Sequence, residues 1–215
     1  MAARLPDGST VAIATAYGSP KAVTAVTNAN PAVATSAAHG LANGALIEVT
    51  SGWQRVNDRI VRVANQASGT FELEGINSLA TQYYPAGSGV GSVREITTFT
   101  QISQILDFTT SGGEQQFATY SFLEEDFERQ LPTVTSAQSI SIGIADDPSL
   151  PGYQALKAAG EARAVRALRL TLPDGSLILY NGTISFNETP TLTKGSVMQV
   201  TATVSLQGRP VRYSA

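Results

Sequence analysis

RALRLTLPDGSLILYNGTISFNETPTLTKGSVMQVTATVSLQGRP, residues 166–210, reads as strand, turn, strand, loop, strand. From Ser196 onward, Met198, Val200, Ala202, Val204 and Leu206 fall on one face, and Gln199, Thr201, Thr203 and Ser205 on the other. A period of two with one apolar face is the mark of a half-buried strand. Pro173-Asp174-Gly175, between Leu172 and Leu177, supplies a turn: proline presets φ, aspartate bonds nearby backbone, and glycine accepts positive φ. The polar face carries only small uncharged groups, with no base or nucleophile where one would be useful. Such a surface suits a wall rather than an active site.

The same chemistry continues upstream. Asp146, Asp147 and Ser149 offer N-cap oxygens, Pro148 and Pro151 suit a first turn, and Tyr153, Leu156 and Ala159/Gly160 follow at helical spacing. This predicts one short flanking helix over about 148–161. Before it, Thr133–Ala145 alternates as a strand with Ile140, Ile142 and Ile144 on one face. The acidic run Leu123-Glu124-Glu125-Asp126-Phe127-Glu128 sits between that strand and the alternating stretch Glu114–Phe122, and residues 94–108 read as a strand pair or one long bent strand. Residues 9–17 form a first strand. Between the two lie short strand signals bounded by Gly, Asn or Ser, in HGLANGALIEVTSGW, DRIVRVAN and GTFELEGI, closed by the glycine-rich run AGSGVGS, read as a flexible join. The organisation read from this is a host domain, 1–21 and 94–215, carrying an inserted all-β module, 22–93. The host strands on either side look self-sufficient, which places the module outside as an appendage.

Composition narrows the function. In 215 residues only 14% are charged, against roughly 25% in an ordinary globular domain, while 42% are hydrophobic. That favours β-structure with many turns and a surface that faces other protein copies. Net charge is −3 with no basic cluster, so duplex DNA is not gripped sequence-specifically. There is no cysteine, hence no disulfide and no thiolate metal site. No signal region is evident and no apolar run approaches ~18 residues, so the chain is expected to insert in no membrane and to be made in a cytoplasm.

Each candidate for chemistry has a plainer reading. His39 is the only histidine, so a triad or a multi-histidine metal site lacks its partners, and a turn or packing role is expected. GSGVGS (87–92) has no helix signal after it and fails as a phosphate loop. Glu124, Glu125 and Asp126 lack the spaced ligands of a cation-binding loop and read as solvated or partner-facing. Asp146-Asp147 reads as a helix cap. Asn181-Gly182-Thr183 matches a glycosylation acceptor but reads as a turn or strand kink. Trp53 with Tyr83 and Tyr84 could stack on a sugar, though such aromatics are more often core or interface anchors. No cofactor, metal or catalytic residue is expected.

Taken together, LEEDFERQLPT, SAQSISIGI, DDPSLPGYQALKAAGE and the 166–210 stretch resemble the tail tube (major tail) proteins of long, flexible-tailed, lambda-like bacteriophages. The resemblance covers about 9–18 and 94–213, while 22–93 is similar to a small β-module found appended to or inserted in phage structural proteins. It implies a mainly β fold, a sandwich closing towards a barrel with one flanking helix, in a non-enzymatic virion protein. It implies homo-hexameric rings stacked into a tube, other tail proteins at the tube ends, and transient, non-specific passage of DNA during ejection. Within that picture Glu124, Glu125, Asp126 and Phe127 are candidate contacts between rings or subunits, and Gln199, Thr201, Thr203 and Ser205 are candidates for the lumen wall. Two other readings stay open: an inner tube of a related secretion or contractile injection system, and a carbohydrate- or receptor-binding β-protein.

Overall fold

Runs of β-branched residues alternating with small polar ones send most of the chain into strands. The computed structural model describes residues 5–215. It begins with β1 (Thr10–Tyr17), β2 (Lys21–Val23), β3 (Ala25–Val26), β4 (Ala32–Thr35), β5 (Leu46–Ser51), β6 (Arg59–Ala64) and β7 (Thr70–Leu73). Then come β8 (Gly91–Ile102), β9 (Ile105–Ser111), β10 (Gln115–Tyr120), β11 (Arg129–Thr135) and β12 (Ser139–Ala145). The helix α1 (Pro151–Ala162) precedes β13 (Val165–Thr171), β14 (Leu177–Thr191), β15 (Gln199–Leu206) and β16 (Val211–Tyr213). Fourteen strands share one sheet in the order β3-β4-β7-β6-β5-β8-β1-β13-β14-β15-β12-β9, with β2 added to β8 and β16 to β14; β10 and β11 stand apart as a pair. The expected class is found: mainly β, 50% strand and 6% helix, a curled half-barrel sheet with, among the described residues, a single helix.

Both faces of the central strands are buried, which is why the sheet must curl. On one face Val11, Ile13, Leu168, Tyr180 and Ile184 join Ile140, Ile142, Ile144, Val200, Ala202 and Val204 beneath Tyr153, Leu156 and Ala159 of α1. On the other, Ala14, Ala167 and Leu179 lie under Leu46 of β5 and Ile60 of β6, with Val211 and Tyr213 of β16. A separate core fills the segment between β2 and β8 around Ile47, Trp53, Val61 and Phe71. Each fully buried Val, Leu, Ile or Phe among them contributes roughly 1.5–3 kcal/mol.

The helix is uncapped by side chains. Its N-cap is Leu150, with Pro151 at N1. The expected capping aspartate is engaged elsewhere: Asp147 Oδ1 accepts from Ser149 N (3.0 Å) and Oγ (2.6 Å), closing a turn ahead of the helix.

The segment 22–93 is joined to the rest more firmly than a flexible join implies. β2 and β5 both pair with the first half of β8, through Gly91–Glu95, and β8 then continues to pair with β1 from Ile96 to Ile102. The boundary expected near Arg94 falls inside that strand. Two of the three glycines in the 86–92 run are close-packed rather than slack: a Cβ on Gly91 would strike the Thr50 carbonyl, and one on Gly89 the Trp53 ring. Arg94 Nε pairs with Glu48, whose other oxygen accepts from Asn181 Nδ2 (2.9 Å), so β8, β5 and β14 meet in one polar cluster around the buried Glu48 and Asn181. The alternating stretch 133–145 also differs from its reading as one strand, because a break at 136–138 divides it into β11 and β12.

Candidate functional site

Four neighbouring strands, β9, β12, β15 and β14, turn a common polar face away from α1. Antiparallel pairing puts directly opposed residues on the same side, so the registers define its rows. Ser111, Ser139, Ser205 and Thr183 form one row, and Thr109, Ser141, Thr203 and Ser185 the next. Asp107, Gly143, Thr201 and Asn187 form a third. Gln199 continues the surface beyond Thr201, and its Nε2 donates to Asp107 Oδ1 at 2.7 Å, over the gap left by the missing side chain of Gly143. Asp107 is the one charged residue in the three rows. Val200, Ala202 and Val204 between them are fully buried. The structure therefore brings Gln199, Thr201, Thr203 and Ser205 together on one open face.

Sequence reading missed the hydroxyls that extend it, Thr109, Ser111, Ser139, Ser141, Thr183 and Ser185. The signal was present: Ser139 and Ser141 interleave with Ile140, Ile142 and Ile144. Met198, expected on the apolar face, is 49% exposed because it precedes β15.

This strip ends in two unpaired edges. β9 is the last strand of the sheet order. On the far side, β13 stops pairing with β14 at Thr183, so among the described residues Ile184–Thr191 is paired on one side only, by β15. Open edges are templates for another chain.

The acidic run lies elsewhere. β9 and β12 leave the sheet at Ser111 and Ser139, and the same register resumes at Gln115 and Thr135 in the β10–β11 pair. One ribbon thus bends at its root, where Gly112 (φ +77°) and Gly113 (φ +84°) take backbone conformations closed to most residues and Gly112 approaches the Ala137 carbonyl. Glu124, Glu125, Asp126 and Phe127 occupy the ribbon's tip, far from the hydroxyl face. Phe127 is 69% exposed and Leu123 fully so, while Glu125 pairs with Arg129 at 2.6 Å. Phe117 and Leu131, on opposite faces of the ribbon, are also exposed. A two-stranded ribbon with apolar residues on both faces has no core of its own to bury them.

The remaining candidates are structural. His39 is buried; its Nδ1 accepts from Leu41 N at 3.0 Å, which leaves Nε2 to donate to the Ala67 carbonyl at 2.7 Å. Trp53 and Tyr84 pack edge to face inside the core, so with Tyr83 they make no sugar platform. Asn181 is buried against Glu48 and unreachable for glycosylation. Among the described residues no helix is long and apolar enough to cross a membrane.

No curated protein sequence matches the chain. Among solved structures, a chain of the "Virion of native gene transfer agent (GTA) particle" is similar at 12% identity and a TM-score of 0.41, covering 54% of this chain and 89% of that one. The family described as phage tail tube protein, TTP, matches residues 51–215. The chain belongs to the phage tail tube protein family, and its role is that of a structural component of a phage tail tube.

Proposed function

We propose that the β9-β12-β15-β14 strip is one segment of a continuous tube wall, with its hydroxyl face towards the lumen. The observation that carries this reading is a four-stranded strip open at both edges. The strands alternate in direction, so β9 of one copy laid beside Ile184–Thr191 of the next continues the antiparallel order, because four is even. Edge-to-edge contacts of this heterologous kind close into a ring when the rotation fits; six copies is the number that the family resemblance implies. Stacked rings then form a conduit whose lining of hydroxyls, amides and a lone carboxylate offers phosphate no cation to bind. DNA passes during ejection without being held, and the protein performs no catalysis. Residues 1–21 and 94–215 act as the tube subunit and 22–93 as its inserted module. Gln199, Thr201, Thr203 and Ser205 are assigned to the wall, and Glu124, Glu125, Asp126 and Phe127 to contacts between copies. Other tail proteins meet the tube at its ends, and subunits are made in the host cytoplasm before entering the virion.

Negative-stain microscopy of the purified protein tests this directly. Rings or tubes with a central channel are the expected result; a species that stays monomeric at every concentration would overturn it.

A further inference from the structure

At the root of the ribbon, opposite its tip, lies a cleft of about 780 Å³ lined by Arg55, Gln115, Gln138 and Arg209, among others. Two of its walls come from distant parts of the chain: Arg55 from the segment between β5 and β6, and Gln207–Pro210 from the turn between β15 and β16. Arg59 ties them together, donating from Nη1 to the Arg55 carbonyl (3.3 Å) and from Nη2 to the Pro210 carbonyl (3.5 Å), while its Nε has no partner. Arg55 is held over the Tyr83 ring at 3.3 Å. Among the described residues none of Arg55, Arg59 and Arg209 enters an ion pair. Burial lowers the pKa of the Arg59 guanidinium and the nearby Arg209 charge adds to that, although Tyr84 and Tyr213 oppose it. Arg55 and Arg209 line the cleft, with Arg59 bound to the backbone of both walls; guanidinium groups without a paired carboxylate are a receiving site for anionic side chains.

The tip carries the matching charge. Glu124, Asp126 and Glu128 are exposed, and among the described residues none is in an ion pair; Leu123 and Phe127 flank them. The tip cannot return to its own root. β10 alone rises roughly 20 Å at about 3.3 Å per residue, and the tip lies beyond it. An acidic tip and a basic cleft at the root, separated by the length of the ribbon, complement each other between two copies, head to tail. Such a contact is heterologous and, between stacked copies, repeats along the axis.

We propose that the Arg55/Arg209 cleft, braced by Arg59, receives the Glu124–Glu128 tip of a second copy of this chain. This rests on the tube reading, of which it names the contact between successive copies. It also gives the 22–93 segment a task, since Arg55 and Arg59 belong to it.

The absence of native cysteine makes a clean test possible. Full-length D126C and R209C proteins, one isotope-labelled, are mixed and oxidised, and linked peptides are identified by mass spectrometry. Both positions are exposed, so folding is expected to survive, with circular dichroism as the check. The expected main product is a heterodimer joined through the two introduced thiols. In parallel, Arg209→Glu should abolish elongation and the added substitution Asp126→Lys should restore it. Homodimers only, or no restoration by the charge exchange, would overturn the contact. So would retention of a DNA oligonucleotide that is lost in Arg55→Glu/Arg209→Glu, found without the heterodimer, since the cleft would then serve phosphate. Tubes without the heterodimer leave the tube reading standing; the heterodimer without rings or tubes upholds the contact and removes the tube.

Discussion

Val200 and Thr201 are adjacent in the chain and opposite in consequence. Val200 is fully buried between β12 and β14, whereas Thr201 is half-buried on the hydroxyl face. Val200→Asp would strand a charge in an apolar core, and no soluble protein is expected from it. Thr201→Ala should fold with a stability change within about 0.5 kcal/mol by urea denaturation. Tyr213 sets a different limit. Its hydroxyl donates to the Glu74 carbonyl (3.0 Å) and accepts from Arg62 N (2.8 Å), and burial pushes its pKa up to about 12. The fold favours the neutral phenol, so its contribution is whole below the ordinary value of about 10 and is lost as pH rises towards 12. Tyr213→Phe should cost on the order of 1–3 kcal/mol at neutral pH and lose less between neutral pH and about pH 11 than the native chain does. Denaturant titrations at the two pH values check both. Which face of β15 is buried could be read from alternation alone. The fate of Asn181 could not, because its partner Glu48 lies on a strand far away in sequence, and neither could the diversion of Asp147 by Ser149, where two caps compete for one carboxylate.

Among the elements, the ribbon shows why the acidic run was visible but its setting was not. Composition singles out Glu124, Glu125 and Asp126. Only the fold reveals that β9 and β12 run on into β10 and β11, and that the bend falls at Gly112 and Gly113, because register is a relation between strands rather than a property of either. The break at 136–138 leaves little trace in the alternation, for the polar residues there fit a strand as well as a kink. Replacing Glu124, Glu125 and Asp126 with Ala removes one exposed ion pair, worth roughly 0.2–1 kcal/mol. A subunit with a nearly unchanged thermal midpoint that no longer elongates is expected. Normal tubes from that variant, seen by negative stain, would return the run to a solvated loop.

For the molecule as a whole, the sheet is shared between the segment 22–93 and the rest. Removing that segment by joining Lys21 to Arg94 takes β5 from β8, Leu46 and Ile60 from the core beneath Ala167 and Leu179, and Glu48 from Asn181 and Arg94. Insoluble or molten protein is expected, read by circular dichroism and gel filtration; a folded, monodisperse remainder would show the two parts to be independent. The short strand signals and their spacing were legible in the sequence. Their insertion into a common sheet was not, since β8 reads as one strand whichever neighbours it has.

The placement of β1 also sets a timetable. β1 lies between β8 and β13 and leaves the ribosome well before either of them. At about 5–20 residues per second, the first of these partners follows several seconds later and the second later still. Until then both edges of β1 are bare, a hazard in a crowded cell. Pairings this distant in sequence also make for slow folding. β13, β14 and β15, which join β1 to β12, are made after every other strand of the sheet but β16, so the sheet closes only when nearly all of it has been synthesised.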